Sequence, residues 1–478
     1  MKLQKIIHQL SPADFNNFSE QFKKTKADKF LLLLNHYRNV STTDKIILHR
    51  LKIKQAAFYT LKSRLFDKVQ ELLYKSTSDT RIELLLNTAN IEHLVYKTPR
   101  ETAIGILKKL EAELLVHDMP NELISVYKAL KKLHIHSEKY YDYLQLYNRY
   151  VAFNLAQDKA EEILSLFCKT LGDFTLSRNE ETLNLLVLYK NEMINVCRLY
   201  QSHHLHIYKN ILLINFALFC QNKNEIDTDP TVEEMLKESI SIIDSHWEDR
   251  IYKHLKLVFN FLYFEYYHQL NQHKNASKYC ESITESSEGL LLLYHSSFVY
   301  HYLISKIEYF HFEKIENKLI NEEEISEHEP NIHDISSYTI YHFYKASAEF
   351  YAEKYSAAIQ TLNNLINKIS YKNQPFTEIE TKSFLALLNI VCERYDQAEV
   401  IIRSISRKII NENNSAKYYN ANKFLKLLKI SVSRKEKEKE KNEKLNELNT
   451  SFEASNTGEY AFLKSLKLDE KTILLLCK

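Results

Sequence analysis

Histidines are the residues of this chain whose spacing can be compared directly with known metal motifs. Residues 328–333 (HEPNIH) are similar to the zinc-binding HExxH motif but contain one residue too many. Pro330 would also interrupt the helix that must place both imidazoles on one face. We therefore interpret this acidic stretch as a solvated loop between helices.

A second histidine cluster consists of His203, His204 and His206. It contains no pair spaced i, i+4, and no carboxylate lies near it in the sequence. These residues are therefore interpreted as ordinary surface or core histidines, and the sequence predicts no metal site.

Motifs for cofactor binding and catalysis are missing from the sequence. The four glycines are isolated, which excludes the GxGxxG and GxxxxGK[ST] phosphate-binding loops. The six cysteines form no CxxC pair, and no GxSxG, HRD or DFG motif occurs. We predict a protein that is not an enzyme, with no catalytic residue and no cofactor.

A basic segment near the N-terminus has the layout of a helix-turn-helix. Residues 44–50 are predicted to form a short helix, residues 52–55 a turn, and residues 56–74 a second helix. Between positions 44 and 75, eight lysines and arginines face three acidic residues, a net charge of +5. A second helix with basic residues beside its apolar stripe is typical of a helix that enters the major groove.

The nucleic-acid contacts predicted from this segment are Lys54, Lys62, Arg64 and Lys68. Two amphipathic helices joined by a short turn also fit a structural cap on the neighbouring helices. The sequence leaves both readings open.

The clearest order along the chain is a repeat of about 40 residues. Segments 353–358 (EKYSAA) and 393–398 (ERYDQA) align at a spacing of 40. From each tyrosine, apolar residues follow at +3, +7, +10 and +14, which is one stripe along a helix. These residues are Ala358, Leu362, Leu365 and Ile369 in the first copy, and Ala398, Ile402, Ile405 and Ile409 in the second.

At these residues the chain resembles the tetratricopeptide-repeat (TPR) family of helix–turn–helix units. The period is longer than the ~34 residues of the family. Glu353 and Glu393 stand where the family often has Gly, and the terminal Pro is missing. The resemblance implies a right-handed solenoid of antiparallel helix pairs that binds a protein or peptide partner. Tyr341, Tyr344 and Tyr351, in the first helix of a pair, are candidates for that contact.

Composition supports an all-α fold. Only four glycines and six prolines occur in 478 residues, whereas average usage is ~7% and ~5%. Hairpins and tight turns of sheet proteins consume glycine, but helices joined by short polar loops do not. The length exceeds the ~250–300 residues that one core supports, so several domains or a repeat array are required.

The chain divides into four predicted regions. A non-repeat helical region (1–100) precedes the TPR-like solenoid (101–432). A charged linker (433–458), which is either a solvated helix or disordered, and an apolar C-terminal segment (459–478) follow. The apolar segment could dock on the solenoid of its own chain or on a partner.

The functional prediction is a cytoplasmic, non-catalytic scaffold for protein–protein interaction. The net charge of +2 creates no global field for nucleic acid, and no apolar stretch reaches the ~18 residues that span a membrane. The alternative is a regulator that binds nucleic acid through residues 44–75 and senses a partner through the solenoid.

Overall fold

A computed structural model describes most of the chain. The residues that it describes are 12–25, 27–38, 54–75, 80–220, 231–246, 250–284, 297–312, 329–411, 418–433, 438–455 and 468–477, with Leu3, Ile7, Leu463 and Leu466. Within these ranges the regular elements are helices and no strand occurs, which confirms the all-α prediction. In the same ranges, no helix is both long and apolar enough to cross a membrane.

The chain divides into two compact units. The first unit contains residues 1–114 and 132–135, and the second contains residues 115–131 and 136–478. The predicted boundary at residue 100 lies at the start of a helix that continues to Val116. The first compact unit instead continues along this helix to Leu114.

The described residues before position 117 form six helices. They are α1 (Pro12–Lys24), α2 (Asp28–Arg38), α3 (Gln55–Lys75), α4 (Thr80–Ala89), α5 (Ile91–Lys97) and α6 (Arg100–Val116). Helix α1 packs against α2 and α3. Their shared core contains Phe18, Phe22, Leu34, Phe58 and Leu65, each at most 2% exposed.

The second unit begins with helices that include the longest of those described. They are α7 (Pro120–Leu133), α8 (Lys139–Ser177), α9 (Glu180–Arg198), α10 (His203–Cys220), α11 (Val232–Ser245), α12 (Arg250–Gln269), α13 (His273–Thr284) and α14 (Ser297–Phe312). It continues with α15 (Ile335–Tyr351), α16 (Tyr355–Lys368), α17 (Pro375–Val391), α18 (Tyr395–Asn411), α19 (Tyr419–Val432), α20 (Glu438–Ser455) and α21 (Glu470–Cys477).

Helices that follow one another in the second unit pack against one another. This holds from α8 to α13 and again from α14 to α21. The arrangement is compatible with a helical-repeat solenoid, in which each unit buries its apolar face against its neighbours. The 39-residue helix α8 adds contacts outside this order, because it also touches α14, α15 and α17. The hydroxyl of Thr377 on α17, for example, donates to the carbonyl of Leu176 on α8 at 2.8 Å.

The predicted apolar stripe is confirmed in α16 and α18. All eight of its residues are at most 7% exposed. The two alanines at the +3 position are 0% exposed, as expected where helices approach closely. Period-3.6 spacing was therefore sufficient to identify the buried face of these helices.

A left-handed residue recurs two positions before a helix. Asp118, Arg178, Asn271, Glu353 and Glu393 have φ between 51° and 60° and precede α7, α9, α13, α16 and α18. After Glu353, the amide of Lys354 donates to the carbonyl of Glu349 at 2.9 Å, the 6→1 bond of a Schellman motif. Glu353 and Glu393 stand where tetratricopeptide repeats often have Gly. Both adopt the left-handed conformation that Gly favours.

The segment predicted as a charged linker at 433–458, a solvated helix or a disordered stretch, is helical for much of its length. Residues 438–455 form α20, which packs against α19 and α21. Leu445 and Phe452 are at most 1% exposed, and the ring of Phe452 lies 5.2 Å from that of Phe424. Most residues of this helix are charged or polar. Leu445 and Phe452, spaced i and i+7, nevertheless lie on one face, and their burial is sufficient to anchor the helix.

The C-terminal segment docks on its own chain. Its described apolar residues Leu463, Leu466, Ile473 and Leu476 are at most 4% exposed. Helix α21 contacts α17, α19 and α20. The amide of Leu463 donates to the buried carboxylate of Glu380 on α17 at 3.3 Å.

Candidate functional site

The predicted nucleic-acid segment is described only from Lys54 onward, so the helix predicted at 44–50 lies outside the described residues. Lys54 and Arg64 are exposed, whereas Lys62 and Lys68 are half-buried. The ammonium of Lys62 lies 5.3 Å from the centre of the Tyr37 ring and 5.6 Å from that of Phe58.

These positions divide the four basic candidates. A lysine that covers aromatic rings packs its stem against the core and contributes a cation–π contact. Lys62 therefore has a structural explanation, and Lys54 and Arg64 remain as residues that present charge to solvent.

The tyrosines predicted to contact a partner are mostly in the core. Tyr341 and Tyr344 are 3% and 4% exposed, and Tyr351 is half-buried. Helix α15 is enclosed by α8, α14 and α16, so its side chains are buried on several faces. The first two therefore stabilise the fold and do not form the surface that we predicted.

The HEPNIH stretch forms no histidine pair among the described residues, and His328 lies outside them. His333 is exposed. The carboxylate of Glu329 lies 3.4 Å from Nε2 of His342 on α15.

The other histidine cluster is where the structure brings titratable groups together. Oδ2 of Asp118 lies 3.2 Å from Nδ1 of His204 and 4.0 Å from Nε2 of His203. Asp118 and His204 are 8% and 1% exposed. No carboxylate lies near these histidines in the sequence, because the partner is 86 residues away along the chain.

The start of α10 and the turn before α7 position these groups. Ser202 caps α10, since its hydroxyl accepts from the amide of Leu205 at 3.1 Å and donates to Oδ2 of Asp118. The amide of His204 also donates to that oxygen at 3.3 Å. A helix N-terminus favours a carboxylate because its amides lack intrahelical partners.

A layer of aromatic rings holds the imidazoles. His203 stacks on His204 at 4.8 Å between ring centres and on His246 at 4.2 Å. Nδ1 of His203 is hydrogen-bonded to the hydroxyl of Tyr252, which is 0% exposed. The ring of Tyr252 also stacks on His204 at 5.1 Å.

Each imidazole has one engaged nitrogen and one unpartnered nitrogen. Nε2 of His203 and Nε2 of His204 are buried and have no hydrogen-bond partner within the described part of the chain. Leaving a buried polar atom unpaired costs about 1–3 kcal/mol. These two atoms are therefore the feature of the cluster that its internal hydrogen bonds do not explain.

Burial and hydrogen bonding shift the pKa values in this cluster. Burial lowers the pKa of His203 to about 4, although the nearby Asp118 charge opposes that shift. Burial alone would raise the pKa of Asp118, but hydrogen bonds from His204 and Ser202 outweigh it and the net pKa is lowered. At neutral pH the cluster therefore combines a carboxylate with an uncharged His203 imidazole.

A carboxylate and two imidazoles are a donor set for a divalent transition metal. In the described ranges this is the one group of three such residues whose ligand atoms lie within 4.8 Å of one another. The only sequence signal was the adjacent pair His203 and His204 at a helix start.

Comparison with protein-family models, curated proteins and solved structures finds no match to this chain.

Proposed function

We propose that this chain is a non-catalytic scaffold for protein–protein interaction, built as a right-handed TPR-like solenoid of helix pairs. Sequential packing of helices and left-handed turns at the family Gly positions support the TPR-like assignment. Solenoids of this type present extended surfaces rather than a single pocket. Because the predicted tyrosines are largely buried, the binding surface must lie elsewhere.

The observation that carries the proposal is an exposed apolar stripe on α9. Leu185, Leu188 and Leu199 are 45%, 50% and 75% exposed. Their spacing of i, i+3 and i+14 places them on one face of the helix. Leu186 and Met193, both 0% exposed, lie on a different face of the helix, which is buried. Helix α9 is thus apolar on two faces, and the described residues of the chain cover only one of them.

The partner that fits this stripe is an amphipathic helix of another protein. The stripe runs from Leu185 to Leu199, the residue directly after α9, which is 14 residue steps or about 21 Å at 1.5 Å per residue and matches roughly four turns of a partner helix. Glu180 and Glu181, exposed at its N-terminal end, favour a partner with basic residues beside its apolar face. Burying each leucine would contribute up to about 1.5–3 kcal/mol.

The test compares capture by the full chain and by a variant in which Leu185, Leu188 and Leu199 are all replaced by Glu. Both are used on lysate of the source cells divided into nuclease-treated and untreated halves. We expect defined proteins to be retained in stoichiometric amounts by the natural chain and lost by the variant. A matched control carries Val400→Glu and Ile410→Glu on α18, which are 66% and 72% exposed. The control should retain the same proteins, and circular dichroism should report equal helix content in all three.

Two outcomes contradict the proposal. Equal capture by the stripe variant and the natural chain would remove α9 as the binding surface. Recovery of nucleic acid, with proteins lost on nuclease treatment, would favour the nucleic-acid regulator. In that case Lys54→Glu with Arg64→Glu should abolish electrophoretic retardation, and the affinity should fall steeply with salt.

A further inference from the structure

We infer that Asp118, His203 and His204 bind one divalent transition-metal ion of the zinc class. This inference is independent of the proposed scaffold function. It rests on the geometry of the three side chains, on their burial, and on Nε2 of His203, which lies on the side of Asp118 and has no hydrogen bond within the described residues.

The distances already approach those of a coordinated ion. Zinc binds histidine nitrogen and carboxylate oxygen at about 2.0–2.2 Å, so ligand atoms of a tetrahedral site lie about 3.3–3.5 Å apart. Oδ2 of Asp118 lies 3.2 Å from Nδ1 of His204, where an ion would replace their hydrogen bond, and 4.0 Å from Nε2 of His203. All three ligand atoms lie within 4.8 Å of one another. Small side-chain rotations would complete the set.

The hydrogen bond to Tyr252 engages Nδ1 of His203 and leaves Nε2 on the side of Asp118. When Nδ1–H donates to the tyrosine hydroxyl, the lone pair of the neutral ring is on Nε2, the atom that faces Asp118. Metal-binding histidines characteristically have their other nitrogen held by such a hydrogen bond, which fixes the tautomer and the ring orientation. Ser202 and the amide of His204 hold the carboxylate in the same manner.

The turn before α7 does not account for the position of the Asp118 side chain. Asn271, Glu353 and Glu393 occupy the same left-handed position in other turns, and their side chains are exposed. The backbone conformation is therefore a property of the turn. Burial of the carboxylate against two imidazoles is specific to Asp118.

The donor set selects the class of ion. Magnesium and calcium prefer oxygen ligands, whereas imidazole favours zinc, copper, nickel and cobalt. Two imidazoles with one carboxylate leave a fourth position for water or another ligand, as in zinc sites with three protein ligands.

The experiment uses the full chain purified without a histidine tag and stripped with a chelator. Calorimetric titration with Zn²⁺ should show one saturable site per chain. Titration with Co²⁺ should produce the intense visible absorption of a tetrahedral cobalt site, which surface histidines do not produce.

Three variants and a control locate the site. Asp118→Asn and His203→Gln should each weaken the saturable Zn²⁺ affinity by more than about 100-fold and abolish the cobalt absorption. Tyr252→Phe, which keeps the ring, should weaken it about 10–100-fold, as for other residues that hold a metal ligand. His206→Gln changes a neighbour on α10 that pairs with Glu238 at 3.0 Å and should leave the affinity unchanged.

The inference is overturned if the natural chain takes up no ion saturably, or if the first two variants bind as tightly as the natural chain. If Asp118→Asn fails to fold, the cobalt spectra of the natural chain and of Tyr252→Phe decide the question. An unchanged spectrum and affinity in Tyr252→Phe would exclude the site as described.

Discussion

The turn before α7 and the turn before α18 have the same backbone conformation and opposite side-chain environments. Asp118 has φ 51° and Glu393 has φ 59°, and each lies two residues before its helix. Asp118 is 8% exposed and hydrogen-bonded to α10, whereas Glu393 is exposed. The comparison separates what a turn requires of its backbone from what the surrounding helices require of a side chain.

The largest difference in stability between the two turns is expected when the side chain of Asp118 or of Glu393 is removed. Asp118→Ala should lower the free energy of unfolding by about 3 kcal/mol, because buried donors on Ser202 and His204 lose a charged acceptor. Glu393→Ala should change it by less than about 0.5 kcal/mol, as an exposed substitution. Urea denaturation followed by circular dichroism, with a chelator present to exclude metal binding, measures both. Equal losses would remove the distinction between the turns.

A smaller change near Asp118 is the removal of the Tyr252 hydroxyl from the aromatic layer. Tyr252→Phe should cost about 1–1.5 kcal/mol, because the hydrogen bond to Nδ1 of His203 is buried. Tyr419→Phe is the control, since that tyrosine is 57% exposed, and its stability should be unchanged. The same denaturation measurement applies, and a loss shared by both variants would contradict the argument.

Glycine tests the backbone requirement that the two turns share. Glu393→Gly should raise the free energy of unfolding by about 0.5–1 kcal/mol, because Gly adopts positive φ without the steric cost of a Cβ. Asp118→Gly should still lower it, because the lost hydrogen bonds outweigh the relief of strain. Thermal denaturation of both variants shows whether each substitution raises or lowers the stability. A gain in both would mean that the carboxylate of Asp118 contributes little.

The smallest effect is expected at Asn271. Asparagine tolerates the left-handed conformation better than most residues, so Asn271→Gly should change the stability by less than about 0.5 kcal/mol. The melting temperatures of Asn271→Gly and Glu393→Gly are measured side by side. A rise in Glu393→Gly alone would show that the gain in stability comes from replacing Glu, which tolerates the left-handed conformation less well than Asn. A rise at Asn271 as large as that at Glu393 would contradict this explanation.

Local periodicity accounts for the part of the fold that was predicted correctly. The stripe from Ala358 to Ile369 was identified because residues at i, i+3 and i+7 share a helix face wherever the helix packs. Tyr341 and Tyr344 were misplaced because exposure depends on how many neighbours surround a helix. Helix α15 has neighbouring helices on several faces, and the pattern of its own 17 residues does not predict how many neighbours it has.

The candidate site could not be predicted for a related reason. Leu185 and Leu188 are indistinguishable from core leucines in the sequence, and only packing shows which face of α9 is covered. Likewise, His203 and His204 have no acidic neighbour along the chain. Asp118 reaches them because the turn before α7 is placed against the start of α10.

The sequence by itself determined that the chain is helical and where the stripe of the 40-residue repeat lies. These properties depend on contacts within a few residues along one chain segment. Only the tertiary structure decided that the charged segment packs as a helix, that the C-terminal segment docks on its own chain, and that Asp118 meets two histidines. Such contacts join residues that are distant in sequence, since a folded chain buries apolar surface wherever neighbouring helices leave room for it.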